Sequence, residues 1–190
     1  MPLTRHAWRF LGLSFVLLSV AANLTQSLWL AKLRTERDSI ISRHQLIPGM
    51  TVPSLDAVRL DGTPVSLLHR PSETKTVLYW MSPGCSWCQA NSSSFVSLAK
   101  QIRGRFTIVL LSPSSVGLGW LPEVQAADIT VATPSAGTLS GYRLSGTPMT
   151  IVIDANRKVL RVWNGAYTDE NRVDLERYFN VRLQPTAAPH

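Results

Sequence analysis

The spacing of apolar side chains changes several times along the chain, and each change predicts a different element. Residues 55–68 alternate apolar and polar positions around the pair Asp61-Gly62, which predicts a β-hairpin. Residues 76–81 and 106–111 are nearly continuous apolar runs rich in β-branched and aromatic side chains. Such runs are typical of central strands that are buried on both faces of a sheet.

Helical spacing occurs between the two runs and again near the end of the chain. Apolar residues at positions i, i+3, i+4 and i+7 predict an amphipathic helix over residues 95–102, ended by Gly104. Residues 149–163 predict a second hairpin, and Thr168 is expected to begin a closing helix with two acidic residues in its first turn. Weaker patterns predict three short elements: a helix over residues 117–127, a strand over 128–133 and a helix over 136–144. This order predicts an α/β fold with a mixed sheet and helices on both faces.

The N-terminal region has a different pattern, because residues 10–31 contain no charged side chain and follow a basic start with Arg5 and Arg9. As a helix this segment would be about 33 Å long at ~1.5 Å per residue, enough to cross a bilayer. We therefore predict a transmembrane anchor, with residues 1–9 in the cytoplasm. The alternative is a signal peptide cleaved after Ser19-Val20-Ala21. The remaining chain is predicted to comprise a juxtamembrane helix or linker (32–47), a folded domain (48–183) and a disordered tail (184–190).

Composition supports contact with a membrane more than contact with nucleic acid. Of the 190 residues, 45% are hydrophobic and only 16% are charged, and the net charge is +7. Lysine and arginine occur without a run of five or more, and no aromatic-plus-basic motif accompanies them. We therefore expect no nucleic-acid partner. The positive charge instead favours a negatively charged membrane surface.

The two cysteines of the chain, Cys85 and Cys88, both lie in the stretch SPGCSWCQAN, directly after the first apolar run. A zinc site would need two further ligands, and the four histidines are scattered singly, so we expect no metal. A purely structural disulfide would close a very short loop, where the stabilisation is smallest. A redox pair fits better, because a helix N-terminus lowers the pKa of a cysteine there. Cys85 would then be the nucleophile, with Cys88 one turn on as the resolving cysteine.

A second motif, Ser145–Thr150 (SGTPMT), lies directly before the predicted strand IVID. A CxxC pair at a helix start, followed much later by Thr-Pro before a strand, resembles the thioredoxin superfamily. More narrowly, the chain resembles membrane-anchored, exported thiol–disulfide oxidoreductases of the redoxin type, including those that act in cytochrome c maturation. This resemblance implies a thioredoxin-like fold with a mixed central sheet, an N-terminal hairpin extension and an N-terminal transmembrane helix.

The resemblance also implies roles for residues outside the CxxC pair. Pro148 would be cis and face the cysteines, and the Thr147 backbone would dock an extended substrate segment as an added strand. Trp87 is either an exposed aromatic side chain for partner contact or a lid over Cys88. Two positions depart from the family pattern: Tyr79 and Asn91 stand where many relatives have an acidic proton acceptor.

The partners implied are exported proteins with thiols or disulfides, and a membrane electron donor. No cofactor beyond the cysteine pair is expected. The catalytic domain would face the periplasm or the cell exterior, held at the cytoplasmic membrane by its anchor.

Two alternatives to an oxidoreductase stay open. The redoxin superfamily includes thiol peroxidases, although their PxxxTxxC motif places threonine where this chain has Ser82, three residues before Cys85. The other alternative is a non-catalytic accessory or assembly factor that uses the fold for binding. The absence of both acidic residues leaves room for that interpretation.

Overall fold

A computed structural model of the chain describes residues 18–34, 45–67, 74–114, 121–144, 146–186 and 188–189. The chain divides into two units, Met1–His44 and Gln45–His190. In the first unit, residues 18–34 form a helix, α1, whose side chains are exposed. Within the described ranges, no helix is long and apolar enough to span a bilayer, so the membrane anchor stays a prediction. Parts of the predicted segments lie outside the described residues: 1–9, 10–17, 35–44, 68–73, 115–120, 145, 187 and 190.

The second unit contains a sheet. Its strands within the described residues are seven, and they lie in the order β2-β1-β5-β4-β3-β6-β7. The strands are β1 (Leu55–Arg59), β2 (Pro64–Leu67), β3 (Lys75–Trp80), β4 (Phe106–Leu111), β5 (Thr130–Pro134), β6 (Met149–Ile153) and β7 (Val159–Asn164). The helices of this unit are α2 (Ser86–Ala90), α3 (Ser92–Ile102), α4 (Leu121–Ala126), α5 (Ala136–Gly141) and α6 (Asp169–Phe179).

The sheet is mixed, as the sequence predicted. Strand β3 pairs in parallel with β4 and antiparallel with β6, so that Leu78 lies between Val109 and Ile151. The parallel pair is joined through α3, whereas the predicted hairpins β1–β2 and β6–β7 are antiparallel. Central β3 ends beside the first residues of β6, where Trp80 pairs with Met149. This arrangement brings the segment after β3 close to the segment before β6.

Successive side chains of β3 contribute to two hydrophobic cores, one on each face of the sheet. Tyr79 belongs to the core that includes residues of α3 and α6, and Leu78 belongs to the core against which Leu139 of α5 packs. The predicted amphipathic helix is confirmed as α3. Its four predicted core residues are fully buried: Phe95, Leu98, Ala99 and Ile102. Full burial of a large apolar side chain contributes about 1.5–3 kcal/mol, so α3 is held firmly against the sheet.

The C-terminal segment differs from the predicted disordered tail. Leu183 and Thr186 are buried, and the Gln184 carbonyl oxygen accepts a hydrogen bond from Ser94 Oγ at 3.1 Å. Thr186 Oγ1 donates to Asn91 Oδ1 at 2.6 Å. The prediction of disorder through residue 186 was therefore wrong. The composition of the tail does not reveal that its residues form hydrogen bonds with buried polar residues much earlier in the chain. The described domain extends to this segment.

Candidate active site

The cysteine pair lies where the chain leaves β3 and enters α2. Pro83 and Gly84 form a turn after the strand, and the Cys85 N–H donates to the Ser82 carbonyl oxygen at 3.1 Å. Cys85 is the N-cap residue of α2, and its Sγ accepts from the Cys88 N–H at 3.1 Å. The turn therefore places the first sulfur against the unpaired N–H groups that open a helix.

Cys85 and Cys88 are joined by a disulfide, and their Cα atoms are 5.2 Å apart. This separation lies within the ordinary range for a disulfide bridge. The two residues differ in exposure: Cys88 is fully buried, whereas Cys85 is half-buried. An incoming sulfur can therefore reach Cys85 more easily than Cys88, and the roles of nucleophile and resolving cysteine stay a prediction.

The Thr147–Pro148 peptide bond is cis and lies beside the cysteine pair, as predicted. The Thr147 carbonyl oxygen is 3.7 Å from Cys85 Sγ. Pro148 is buried and Thr147 is half-buried. Among the described residues, the Thr147 N–H has no hydrogen-bond partner. The backbone at Thr147 is therefore free to pair with an added strand.

A groove with a volume of about 240 Å³ runs from the cis-proline to the loop after β7. Trp87 forms one side of this groove and is 40% exposed. Every residue that lines the groove is uncharged: Trp87, Thr147, Pro148, Asn164, Gly165, Ala166, Thr168 and Asn171. The groove therefore offers a surface without charged side chains beside the cis-proline.

The loop after β7 is fixed against the cis-proline by its backbone. The Gly165 N–H donates to the Pro148 carbonyl oxygen at 2.8 Å, and Gly165 has φ +93°, a conformation that favours glycine. Asn171 Nδ2 donates to the carbonyl oxygens of Asn164 at 2.8 Å and Ala166 at 3.3 Å. The part that these loop residues play in the groove was not predicted from the sequence. The only local signal was the glycine between strand and helix, which does not show what the loop contacts.

The two positions that depart from the family pattern are hydrogen-bonded to each other. Asn91 Nδ2 donates to Tyr79 Oη at 3.0 Å, and both residues are fully buried. Burial raises the pKa of Tyr79 well above 10, so its hydroxyl stays protonated at neutral pH. Tyr79 also stacks on Phe95 with ring centroids 4.0 Å apart. A neutral pair therefore occupies the two positions where many proteins of the resembled family have acidic residues.

The buried network continues to Tyr167, a residue that the sequence pattern did not single out. The Tyr167 N–H donates to Asn91 Oδ1 at 2.8 Å, and its hydroxyl lies 2.8 Å from Thr150 Oγ1. Burial raises the pKa of Tyr167 well above its ordinary value. Across the described ranges, no group of three or more His, Cys, Asp or Glu residues is placed to hold a metal ion.

Comparison with known proteins identifies the fold but no close relative. No protein-family model matches the sequence, and no curated protein matches it. The thioredoxin domain of a thiol-disulfide oxidoreductase from Bacteroides vulgatus is 20% identical, with a TM-score of 0.53, covering 72% of this chain and 100% of that chain.

Two further solved structures match with similar scores. A candidate thiol:disulfide interchange protein DsbE from Chlorobium tepidum is 23% identical, with a TM-score of 0.51, over 70% of this chain and 94% of that one. A peroxiredoxin-like protein from Aquifex aeolicus is 15% identical, with a TM-score of 0.52, over 70% of this chain and 88% of that one. At these identities the similarity shows the fold alone. The chain has a thioredoxin-like fold, which confirms the fold predicted from the sequence.

Proposed function

We propose that the protein is a thiol–disulfide oxidoreductase that acts on exported proteins through Cys85 and Cys88. One observation carries this proposal: a half-buried Cys85 at the start of α2 is disulfide-bonded to a buried Cys88 and lies beside a cis-proline. The similar structures from Bacteroides vulgatus and Chlorobium tepidum carry the names of thiol–disulfide proteins, which supports the same activity.

The reaction requires only the two sulfurs and the substrate disulfide. The Cys85 thiolate attacks one substrate sulfur, a bond forms between them, and the substrate S–S bond breaks. The departing substrate sulfur takes up a proton and becomes a thiol. Cys88 then loses its proton and attacks Cys85 Sγ, which releases the second substrate sulfur as a thiol. The substrate gains two electrons and two protons, and the Cys85–Cys88 disulfide remains.

The opposite direction uses the same atoms in reverse and transfers the disulfide to a dithiol substrate. In the reducing direction, a dithiol on a membrane electron donor would return Cys85 and Cys88 to thiols. The helix N-terminus favours the thiolate of Cys85 in either direction, because the N–H groups and the helix dipole stabilise a negative charge there. The Cys88 N–H, 3.1 Å from Cys85 Sγ, is one such group.

Substrate would bind as an extended segment along the groove. The Thr147 N–H, which has no partner among the described residues, and the Thr147 carbonyl oxygen offer a donor and an acceptor to a peptide backbone. Trp87 offers an exposed aromatic surface on the other side. Because the backbone supplies these hydrogen bonds, the site would accept many sequences, provided that the substrate segment is uncharged where it enters the groove.

The proposed location is the outer face of the cytoplasmic membrane, with residues 10–31 as the anchor. The uncharged segment after a basic start supports this placement. Substrates would then be exported proteins. They would include c-type cytochromes, whose haem-attachment cysteines would be reduced.

Trapping of mixed disulfides tests the proposed activity. The full chain should reduce the disulfides of insulin in the presence of a dithiol, and Cys85→Ser should abolish this activity. Cys88→Ser should accumulate a mixed disulfide between Cys85 and substrate, because no second thiol resolves it. A wild-type chain that exchanges no disulfide, together with a Cys88→Ser chain that traps no adduct, would exclude the activity.

The second candidate function is a thiol peroxidase, and the peroxiredoxin-like structure from Aquifex aeolicus favours it. Ser82 in place of the motif threonine argues against it. Consumption of hydrogen peroxide by the reduced chain, at a rate faster than insulin reduction, would favour the peroxidase.

The remaining alternative is a non-catalytic accessory that uses the fold for binding. A variant without both cysteines that retains its cellular function would indicate this binding role.

A further inference from the structure

Asn91 lies at the junction of α2 and α3, three residues after Cys88. Its N–H donates to the Trp87 carbonyl oxygen at 3.0 Å, and its own carbonyl oxygen accepts from the Phe95 N–H at 2.9 Å. Asparagine at this position normally caps the helix that follows with its side chain. The Asn91 side chain makes no such bond and is fully buried. Its amide is therefore committed to contacts other than those of its own helix.

Three partners from three different parts of the domain hold this amide. Nδ2 donates to Tyr79 Oη at 3.0 Å, while Oδ1 accepts from the Tyr167 N–H at 2.8 Å and from Thr186 Oγ1 at 2.6 Å. A backbone N–H can only donate, so the amide oxygen must face Tyr167 and the NH₂ group must face Tyr79. Both lone pairs of the oxygen are used. None of the three partners is a charged group.

We propose that Asn91 is a positioning residue for the resolving step. Its neutral amide holds α2, and with it Cys88, where Cys88 can attack the mixed disulfide on Cys85. This inference rests on the proposed function. Helix α2 has only five residues, too few to be stable without tertiary contacts. Asn91 supplies such contacts directly after α2, three residues beyond Cys88, through β3, the loop before α6 and the C-terminal segment.

The first cysteine is held by different contacts. The Cys85 N–H is bonded to Ser82 and its Sγ lies beside Thr147, and neither of these contacts involves α2 or Asn91. Only the bond from the Cys88 N–H to Cys85 Sγ comes from α2. Loss of the Asn91 amide should therefore affect the attack by Cys88 far more than the attack by Cys85. A misplacement of about 1 Å can slow a reaction step by about 100-fold. A residue that merely stabilised the whole domain would affect both steps alike.

Rapid acid quenching followed by mass spectrometry separates the two steps. The reduced full chain is mixed with a peptide disulfide, and the mixed disulfide on Cys85 is counted as it forms and decays. In Asn91→Leu the new side chain has a similar volume but forms no hydrogen bonds. We expect the decay of the mixed disulfide in this variant to slow at least tenfold. Formation should slow much less than decay, because the contacts with Ser82 and Thr147 still hold Cys85. A tenfold change corresponds to about 1.4 kcal/mol in the barrier of the resolving step.

A second variant keeps the geometry and adds a charge. In Asn91→Asp, the carboxylate can accept from all three partners, because the Tyr79 hydroxyl can turn to donate. We expect decay within about threefold of wild type at neutral pH, with one additional ionisation in its pH profile. Tyr142→Phe is the matched control, because it removes a hydrogen bond to the Pro53 carbonyl oxygen and leaves the partners of the Asn91 amide in place. Both steps should be unchanged in that variant.

The outcomes separate the positioning role from the proposed function. A wild-type chain that forms no mixed disulfide contradicts the proposed function itself. If wild type reacts, equal slowing of both steps in Asn91→Leu, or slowing of neither, overturns the positioning role alone. If Asn91→Leu does not fold, Tyr79→Phe decides the question, because it removes one of the three bonds to the Asn91 amide. Slower decay with less affected formation then supports the role, and unchanged decay overturns it.

Discussion

The carbonyl oxygen of Thr147 lies 3.7 Å from Sγ of Cys85, although 62 positions separate the two residues in the chain. Strands β3 and β6 are neighbours in the sheet, so the turn after one and the segment before the other meet at the same end. A substrate strand paired with the Thr147 backbone would present its own sulfur to Cys85. The geometry of the loop that supports this backbone should therefore control substrate binding.

Replacement of Gly165 is expected to disturb that loop. Gly165→Ala places a Cβ at φ +93°, which for an L-residue is unfavourable by roughly 1–2 kcal/mol. The shift should weaken the 2.8 Å bond from the Gly165 N–H to Pro148, raise KM for a peptide disulfide several-fold and leave kcat less affected. Gly137→Ala in α5 is the control, because its added Cβ meets only an ordinary 3.7 Å contact. An unchanged KM in Gly165→Ala would show that the loop plays no part in binding.

The uncharged groove predicts a dependence on substrate charge. Asn164 has an exposed side chain on the groove, and only its backbone oxygen is used by Asn171. Asn164→Asp and Asn164→Lys should therefore fold normally and change only the local charge. We expect Asn164→Asp to lower KM about threefold for peptides with a lysine near the disulfide, and Asn164→Lys to raise it similarly. The effect should fade at high salt. Identical KM values for acidic and basic peptides in both variants would contradict this binding site.

Two buried tyrosine hydroxyls provide a matched comparison. Tyr79→Phe removes a hydrogen bond with Asn91, and Tyr142→Phe removes one to the Pro53 carbonyl oxygen at 2.8 Å. Each change should destabilise the domain by about 1 kcal/mol, measured by urea unfolding. Only Tyr79→Phe should also slow decay of the mixed disulfide, because Tyr142 has no contact with the Asn91 network. Equal kinetics in the two variants would count against a role for Tyr79 beyond stability.

Glu176 predicts an acid-dependent part of the stability. The Leu183 N–H donates to its carboxylate at 2.7 Å and lowers the pKa of Glu176 below 4.5, with a smaller effect from Arg172. A lowered pKa contributes stability that is complete above about pH 4.5 and lost as the pH falls below it. Wild type should therefore exceed Glu176→Gln in Tm at about pH 6, and the difference should shrink toward about pH 3. A difference in Tm that is independent of pH would contradict this assignment.

The fold could be predicted from the sequence because its central elements have strong patterns. The apolar run that became β3 and the helical spacing of Phe95 and Ile102 are local signals, and the hairpins are indicated by their turns. The two ends of the domain had no such signal. Leu46 is buried before the predicted start of the domain, and Thr186 is buried after its predicted end. Both owe their order to tertiary contacts, which apolar spacing does not reveal.

The candidate site was predictable only in part. The CxxC pair and the Thr-Pro motif are compact sequence features, but only the resemblance to the thioredoxin superfamily grouped Thr147 and Pro148 with Cys85 and Cys88. The hydrogen bond between Tyr79 and Asn91 could not be derived, because the two residues lie in different elements and the sequence shows only that neither is acidic. The groove residues after β7 were missed for the same reason. Their function depends on backbone hydrogen bonds, which many side chains would allow.

Ionisation of the Cys85 thiol tests the central claim most directly. The rate of alkylation by iodoacetamide can be followed against pH in the reduced Cys88→Ser chain, where Cys85 is the only thiol. A thiolate held by the first N–H groups of α2 should give a midpoint at about pH 7 or lower, below the value of about 8.5 for free cysteine. A midpoint at or above about 8.5 would contradict a nucleophilic role for Cys85.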